Sequence, residues 1–172
     1  MNVFDRLVSE TASRFNLSPV NVSSLLHGVL TLVMNERTGG PEGFVDLFRR
    51  VGLGDVLTSW FGGRAGRSMT PAQLESALGA TVLDRLADSS GLTRASAASA
   101  LAFLLPRLFG RLTPTGLLPS SAALRVRIDD YLRRPAGAAD YPPTQRLPPW
   151  LPWAALAVMA VTGLFLLSGF PG

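Results

Sequence analysis

The sequence predicts an all-α protein: a multihelical domain followed by one C-terminal transmembrane helix. Three observations carry this expectation. Apolar residues recur at helical spacing through most of residues 1–133. Residues that start and stop helices punctuate them at short intervals. The run from Trp150 to Phe170 is then free of charge over 21 residues. No alternating strand of useful length and no internal repeat is present in the pattern. The expected divisions are an N-terminal helical pair at 1–38, a helical core at 39–133, a proline-rich linker at 134–149 and the membrane helix at 150–170.

Phe4, Leu7, Val8, Thr11, Ala12 and Phe15 give the first helix its amphipathic stripe. Ser18-Pro19 is a start signal, a hydroxyl followed by proline at the first helical position. The helix it opens is apolar on most sides, with Val20, Leu25, Leu26, Val29, Leu30, Val33 and Met34, and belongs in the core or in an interface. Gly39-Gly40 closes it. Phe44, Val45, Leu47 and Phe48 form the face of a short helix that stops at Gly52, and Gly54-Asp55 begins another carrying Trp60 and Phe61. The Trp60-Phe61 region and the apolar second helix are the candidate docking surfaces of this domain, with burial in its own core the favoured alternative for both. Thr70-Pro71-Ala72-Gln73 is a capping box, in which hydroxyl and amide satisfy opposite ends of the first turn. A further helix spans about 81–90. Thr93 then caps the longest one, RASAASALAFLLPRLFGRL, whose leucines and phenylalanines cover most of its circumference. Pro106 lacks an N–H and crowds the previous turn, so a kink or break is expected there. Ser120 or Ser121 starts a last helix that reaches Leu132.

Five prolines between Arg134 and Pro149 read as a semi-rigid, extended linker. As a helix, the 21 residues beyond it would measure roughly 31 Å, about the hydrocarbon thickness of a bilayer. Trp150 and Trp153 suit the headgroup level, and with Phe165 and Phe170 they are the expected anchor residues. Ala160, Gly163 and Gly169 leave a small-residue stripe for close approach of another membrane helix. Only Pro171 and Gly172 follow, so insertion is expected tail-first. Arg133, Arg134 and Arg146 precede the span and bias residues 1–133 toward the cytoplasmic side of a bacterial inner membrane.

The composition excludes much. There is no Cys, hence no disulfide framework and no thiolate metal site. His27 is the only histidine and has no carboxylate at i+3 or i+4, so it is a structural residue, not a ligand or a catalytic base. No nucleophile–base pair is visible, and neither a catalytic residue nor a cofactor, metal or small-molecule substrate is expected. The loop Gly62–Ser68 fails as a phosphate cradle. Only three residues separate its outer glycines, Arg67 stands where lysine is needed and no strand precedes it. Arg64 and Arg67 in that loop, with Arg133 and Arg134, are instead candidate contacts for lipid or an acidic partner. The net charge of +4 is spread along the chain.

Gly52-Leu53-Gly54-Asp55 is followed by Ser59-Trp60 and then by Thr70-Pro71-Ala72-Gln73-Leu74-Glu75-Ser76-Ala77-Leu78-Gly79. Gly91-Leu92, Leu104-Leu105-Pro106 and Leu112-Thr113-Pro114-Thr115-Gly116 continue the series. On these motifs residues 40–119 bear a resemblance to the YidB-like family of bacterial helical domains. It implies an all-α, multihelical fold and brings no enzymatic activity and no catalytic residues. The membrane helix departs from the family pattern.

The expected function is therefore non-enzymatic: a tail-anchored accessory or scaffolding subunit of a larger inner-membrane complex, with lipid and other subunits as partners. The alternative is a membrane-tethered DNA-binding regulator. It rests on residues 82–105, where Ala87, Gly91, Leu92 and Thr93 have helix-turn-helix spacing. Arg94, Ser96 and Ser99 are few polar side chains for reading base edges, so a nucleic-acid partner is not the favoured expectation.

Overall fold

The longest helix organises the domain because it has almost no polar face. In the computed structural model of the chain, which describes residues 3–63 and 66–133, this helix runs from Arg94 to Leu112. The Thr93 side chain accepts a hydrogen bond from the Ser96 amide at its start. Leu101, Leu104, Leu105, Leu108 and Phe109 are all buried along it. The described residues form eight α-helices: α1 (Val3–Phe15), α2 (Pro19–Val33), α3 (Gly40–Arg50), α4 (Gly54–Thr58), α5 (Pro71–Leu78), α6 (Ala80–Ser90), α7 (Arg94–Leu112) and α8 (Ser121–Leu132). Around α7 pack α1, α5 and α6, while α2 lies against α1, α6 and α8. All of these belong to one unit of the chain.

Local chemistry sets the helix ends. At α5 the Thr70 hydroxyl accepts from the Gln73 amide while the Gln73 side chain accepts from the Thr70 amide, completing the capping box. Ser120 caps α8 through the Ala123 amide. At α2 the start belongs to Pro19 alone, since the Ser18 side chain makes no cap bond. At Pro106, where a kink or break was expected, α7 does not break and continues as one helix. The leucines on both sides of Pro106 are buried, and that packing holds the turn together despite the missing N–H.

An aromatic cluster ties α3 and the end of α4 to α7. Phe44 stacks on Phe109 at 5.5 Å, and Phe48 meets Trp60 edge-on at 6.0 Å. Trp60 is fully buried, which makes it core; of the two residues read as a docking surface, only Phe61 keeps partial exposure. Most of α2 is core as well, with Val22, Leu25, Leu26, Val29, Leu30 and Val33 buried and Val20 left 48% exposed. Tyr131 of α8 closes the other side of α2, its hydroxyl 3.1 Å from the Ser23 hydroxyl and its ring 4.8 Å from that of Phe4.

The turn after Trp60 comes back onto α7 at Gly110. A Cβ there would stand 3.2 Å from the Cα of Gly63 and 3.3 Å from the carbonyl oxygen of Trp60, both backbone atoms. Gly110→Leu is therefore expected to push this turn off the helix and to cost about 1–3 kcal/mol of stability in a denaturant titration. A midpoint unchanged from the parent would mean that the turn does not seat on α7.

Candidate functional site

Because the chain returns to α7 after Trp60, a cleft of about 810 Å³ opens between the end of α1, the loop leading into α5, and one side of α7. Four arginines line it: Arg14 from α1, Arg67 from the loop, and Arg107 and Arg111 from α7. Among the described residues no carboxylate does. Its apolar lining is Phe15, Met69, Pro71, Ala102, Phe103 and Pro106. Pro106 has no N–H to offer the carbonyl of Ala102, and both residues border the cleft.

Phe103 is the pivot. It lies one helical turn before Arg107, so the guanidinium folds back over the ring with its carbon 3.5 Å from the ring centroid. The Arg14 guanidinium approaches the same ring at 5.0 Å, and Phe15 meets it edge-on at 5.7 Å. Arg107 also donates from Nη1 to the Phe103 carbonyl at 3.0 Å. Among the described residues, Arg14, Arg67 and Arg107 have no carboxylate partner. Arg111 lies 3.9 Å from Glu10.

The loop wall is held from beneath. The Trp60 indole N–H donates to the Arg67 carbonyl at 2.8 Å, and the Arg67 amide donates to the Ser59 hydroxyl at 3.0 Å. These two bonds pin the Arg67 backbone to the aromatic cluster while leaving the side chain exposed.

The sequence-based candidates thus fall in different places. Arg67 borders the cleft, and Arg133 lies at the end of α8, where it pairs with Asp129 at 2.6 Å. Arg64, Arg134, Arg146 and the span residues Trp150, Trp153, Ala160, Gly163, Phe165, Gly169 and Phe170 lie outside the described residues. Sequence reading placed Phe103 in the core and passed over Arg14 and Arg107. The i, i+4 pair Phe103–Arg107 was the available signal, and the approach of Arg14 was not readable locally. Among the described residues no group of His, Asp or Glu is arranged to hold a metal ion.

The helix-turn-helix candidate also has a definite geometry. Helices α6 and α7 are joined through Gly91, whose φ of +65° is the left-handed conformation that ends α6. Arg94, at the start of α7, is occupied: Nε and Nη2 grip the Asp84 carboxylate and Nη1 reaches Glu75 at 3.1 Å. The hydrogen bond from Arg94 holds the Asp84 carboxyl below its ordinary value near 3.8.

Comparison with known proteins places this fold. The family model described as YidB-like protein matches residues 18–121, more than half of the chain. The chain belongs to the YidB-like family. The match begins at the start of α2, so the family's unit takes in more than the stretch from residue 40 that carried the resemblance. This YidB-like chain is 34% identical over 82 residues to the uncharacterized protein YidB of Escherichia coli (strain K12). That alignment spans 47% of this chain and 62% of the relative, under two thirds of its length. A solved structure of a homeodomain-like protein of unknown function from Shigella flexneri superposes with a TM-score of 0.52 at 28% identity, covering 63% of this chain and 84% of that one. The YidB-like domain is accordingly all-α and multihelical.

Proposed function

We propose that the protein is a non-enzymatic, membrane-anchored interaction protein, an accessory or scaffolding subunit of a bacterial inner-membrane complex. The observation that carries this reading is the uncharged run Trp150–Phe170. A helix of that length without a polar face has its natural solvent in a bilayer, where its backbone groups are satisfied internally. Among the described residues no helix is long and apolar enough to cross a membrane. The helical domain supports the reading with a cleft of positive charge and apolar surface, suited to binding. Arg133, Arg134 and Arg146 favour the cytoplasmic side for residues 1–133.

Fractionation tests this directly. The full chain is expected to stay with membranes through an alkaline carbonate wash, and a chain ending at Pro149 to be released. Protease added outside intact spheroplasts is expected to leave residues 1–133 whole. Recovery of the folded full chain in the aqueous fraction would refute the anchor, and digestion of the domain would refute the orientation.

The second reading, a tethered DNA-binding regulator, has the α6–Gly91–α7 turn in its favour. Against it stands the ion-paired state of Arg94, the one basic side chain on the first turns of α7. The expectation is that residues 1–133 give no salt-dependent gel shift with duplex DNA. A shift that weakens steeply with added salt would favour the second reading.

A further inference from the structure

We propose that the cleft beside α7 binds the headgroup of an anionic phospholipid, with Arg14 and Arg107 holding its phosphate. The ligand's chemistry follows from the cleft, and its source in a lipid rests on the membrane-anchored reading above. Two guanidiniums share one phenyl ring, at 3.5 Å and 5.0 Å from its centroid, and no carboxylate among the described residues lines the space around them. The ring's π face offsets part of the repulsion between them, and an anion placed against both would offset the rest. Arg107, its guanidinium carbon 3.5 Å from the ring centroid, keeps N–H donors at its edge, the edge that meets phosphate oxygens in pairs. Arg107 spends one Nη1 donor on the Phe103 carbonyl and keeps the others. Arg67 adds a third cation from the loop, on a backbone fixed by Ser59 and Trp60.

The apolar lining selects among phosphates. Phe15, Met69, Pro71 and Pro106 border the same cleft, and a bare ion would leave them wet. A phosphate carried on glycerol with the first carbons of its acyl chains meets both kinds of surface. Phe103, already stacked by guanidinium, is poorly placed to stack a nucleobase, which separates this cleft from a single-strand nucleic-acid platform.

The test titrates the full chain, in neutral maltoside micelles, with dihexanoyl phosphatidylglycerol by calorimetry. Saturable one-to-one binding is expected, with dihexanoyl phosphatidylcholine about tenfold weaker. The double variant R14Q/R107Q should bind about a hundredfold more weakly, and R49Q, an exposed arginine away from the cleft, as the parent does. Should R14Q/R107Q lose its cooperative melt, R107K carries the test. It retains the charge but not the fork, and about tenfold weakening is expected. The proposal is overturned by the absence of saturable binding, by equal affinity for the two lipids, by unchanged affinity in the cleft variants, or by an equal loss in R49Q. Inorganic phosphate or glycerol 1-phosphate binding as tightly as the lipid would overturn the lipid source. The two readings fail separately. A chain that binds the lipid through these arginines but washes off membranes refutes the anchor alone. A chain that stays with membranes and shows no arginine-dependent binding refutes the cleft alone.

Discussion

Leu104→Asp is expected to abolish the cooperative unfolding of the helical domain. Leu104 is fully buried in the middle of α7, the helix against which α1, α5 and α6 pack. An aspartate there either buries a carboxylate with no partner or drives the helix out of the core. The first costs several kcal/mol, against a total stability of about 5–15 kcal/mol for a domain of this size. The second exposes the apolar faces of three helices at once. Circular dichroism across a thermal ramp should show a sloping, non-cooperative loss of helicity in place of a sigmoid. A sharp transition near the parent's midpoint would mean that this face of α7 is solvent-accessible.

Trp60→Ala should have the next largest effect, about 3–5 kcal/mol in a denaturant titration. The indole is fully buried between Phe48 and Phe109, and its N–H holds the Arg67 carbonyl. Truncation removes the packing and leaves that carbonyl without its donor. Trp60→Phe separates the two contributions, since it keeps most of the packing and loses the hydrogen bond, for about 1–3 kcal/mol. Both variants loosen the backbone beneath Arg67, so they should weaken ligand binding in the cleft even where the domain remains folded. A loss below about 1 kcal/mol for Trp60→Ala would contradict the central place given to the aromatic cluster.

Some of this was legible before any coordinates. The capping box at Thr70–Gln73, the hydroxyl of Thr93 and the serine before α8 each involve groups within three residues, and such interactions are set by local sequence. Elsewhere a distant partner decided what the local sequence left open. A kink or break was expected at Pro106, and α7 runs through it unbroken, with buried leucines on either side. Trp60, a docking candidate whose favoured alternative was burial in the core, is enclosed by Phe48 from α3 and Phe109 from α7. Arg94, the arginine of the less favoured recognition-helix alternative, is held by Asp84 and Glu75 from α6 and α5.

By itself the sequence determined the all-α class, the order of the helices and most of their ends, because periodicity and capping act within a few residues. It also contained the uncharged run on which the membrane reading rests. Only the tertiary structure decided which side of each helix faces inward and which charges share a space. Arg14 and Arg107 are far apart along the chain, and they meet over Phe103 because α1 packs against α7. A cleft of this kind is made by the packing of helices, and the pattern within any one helix does not encode it.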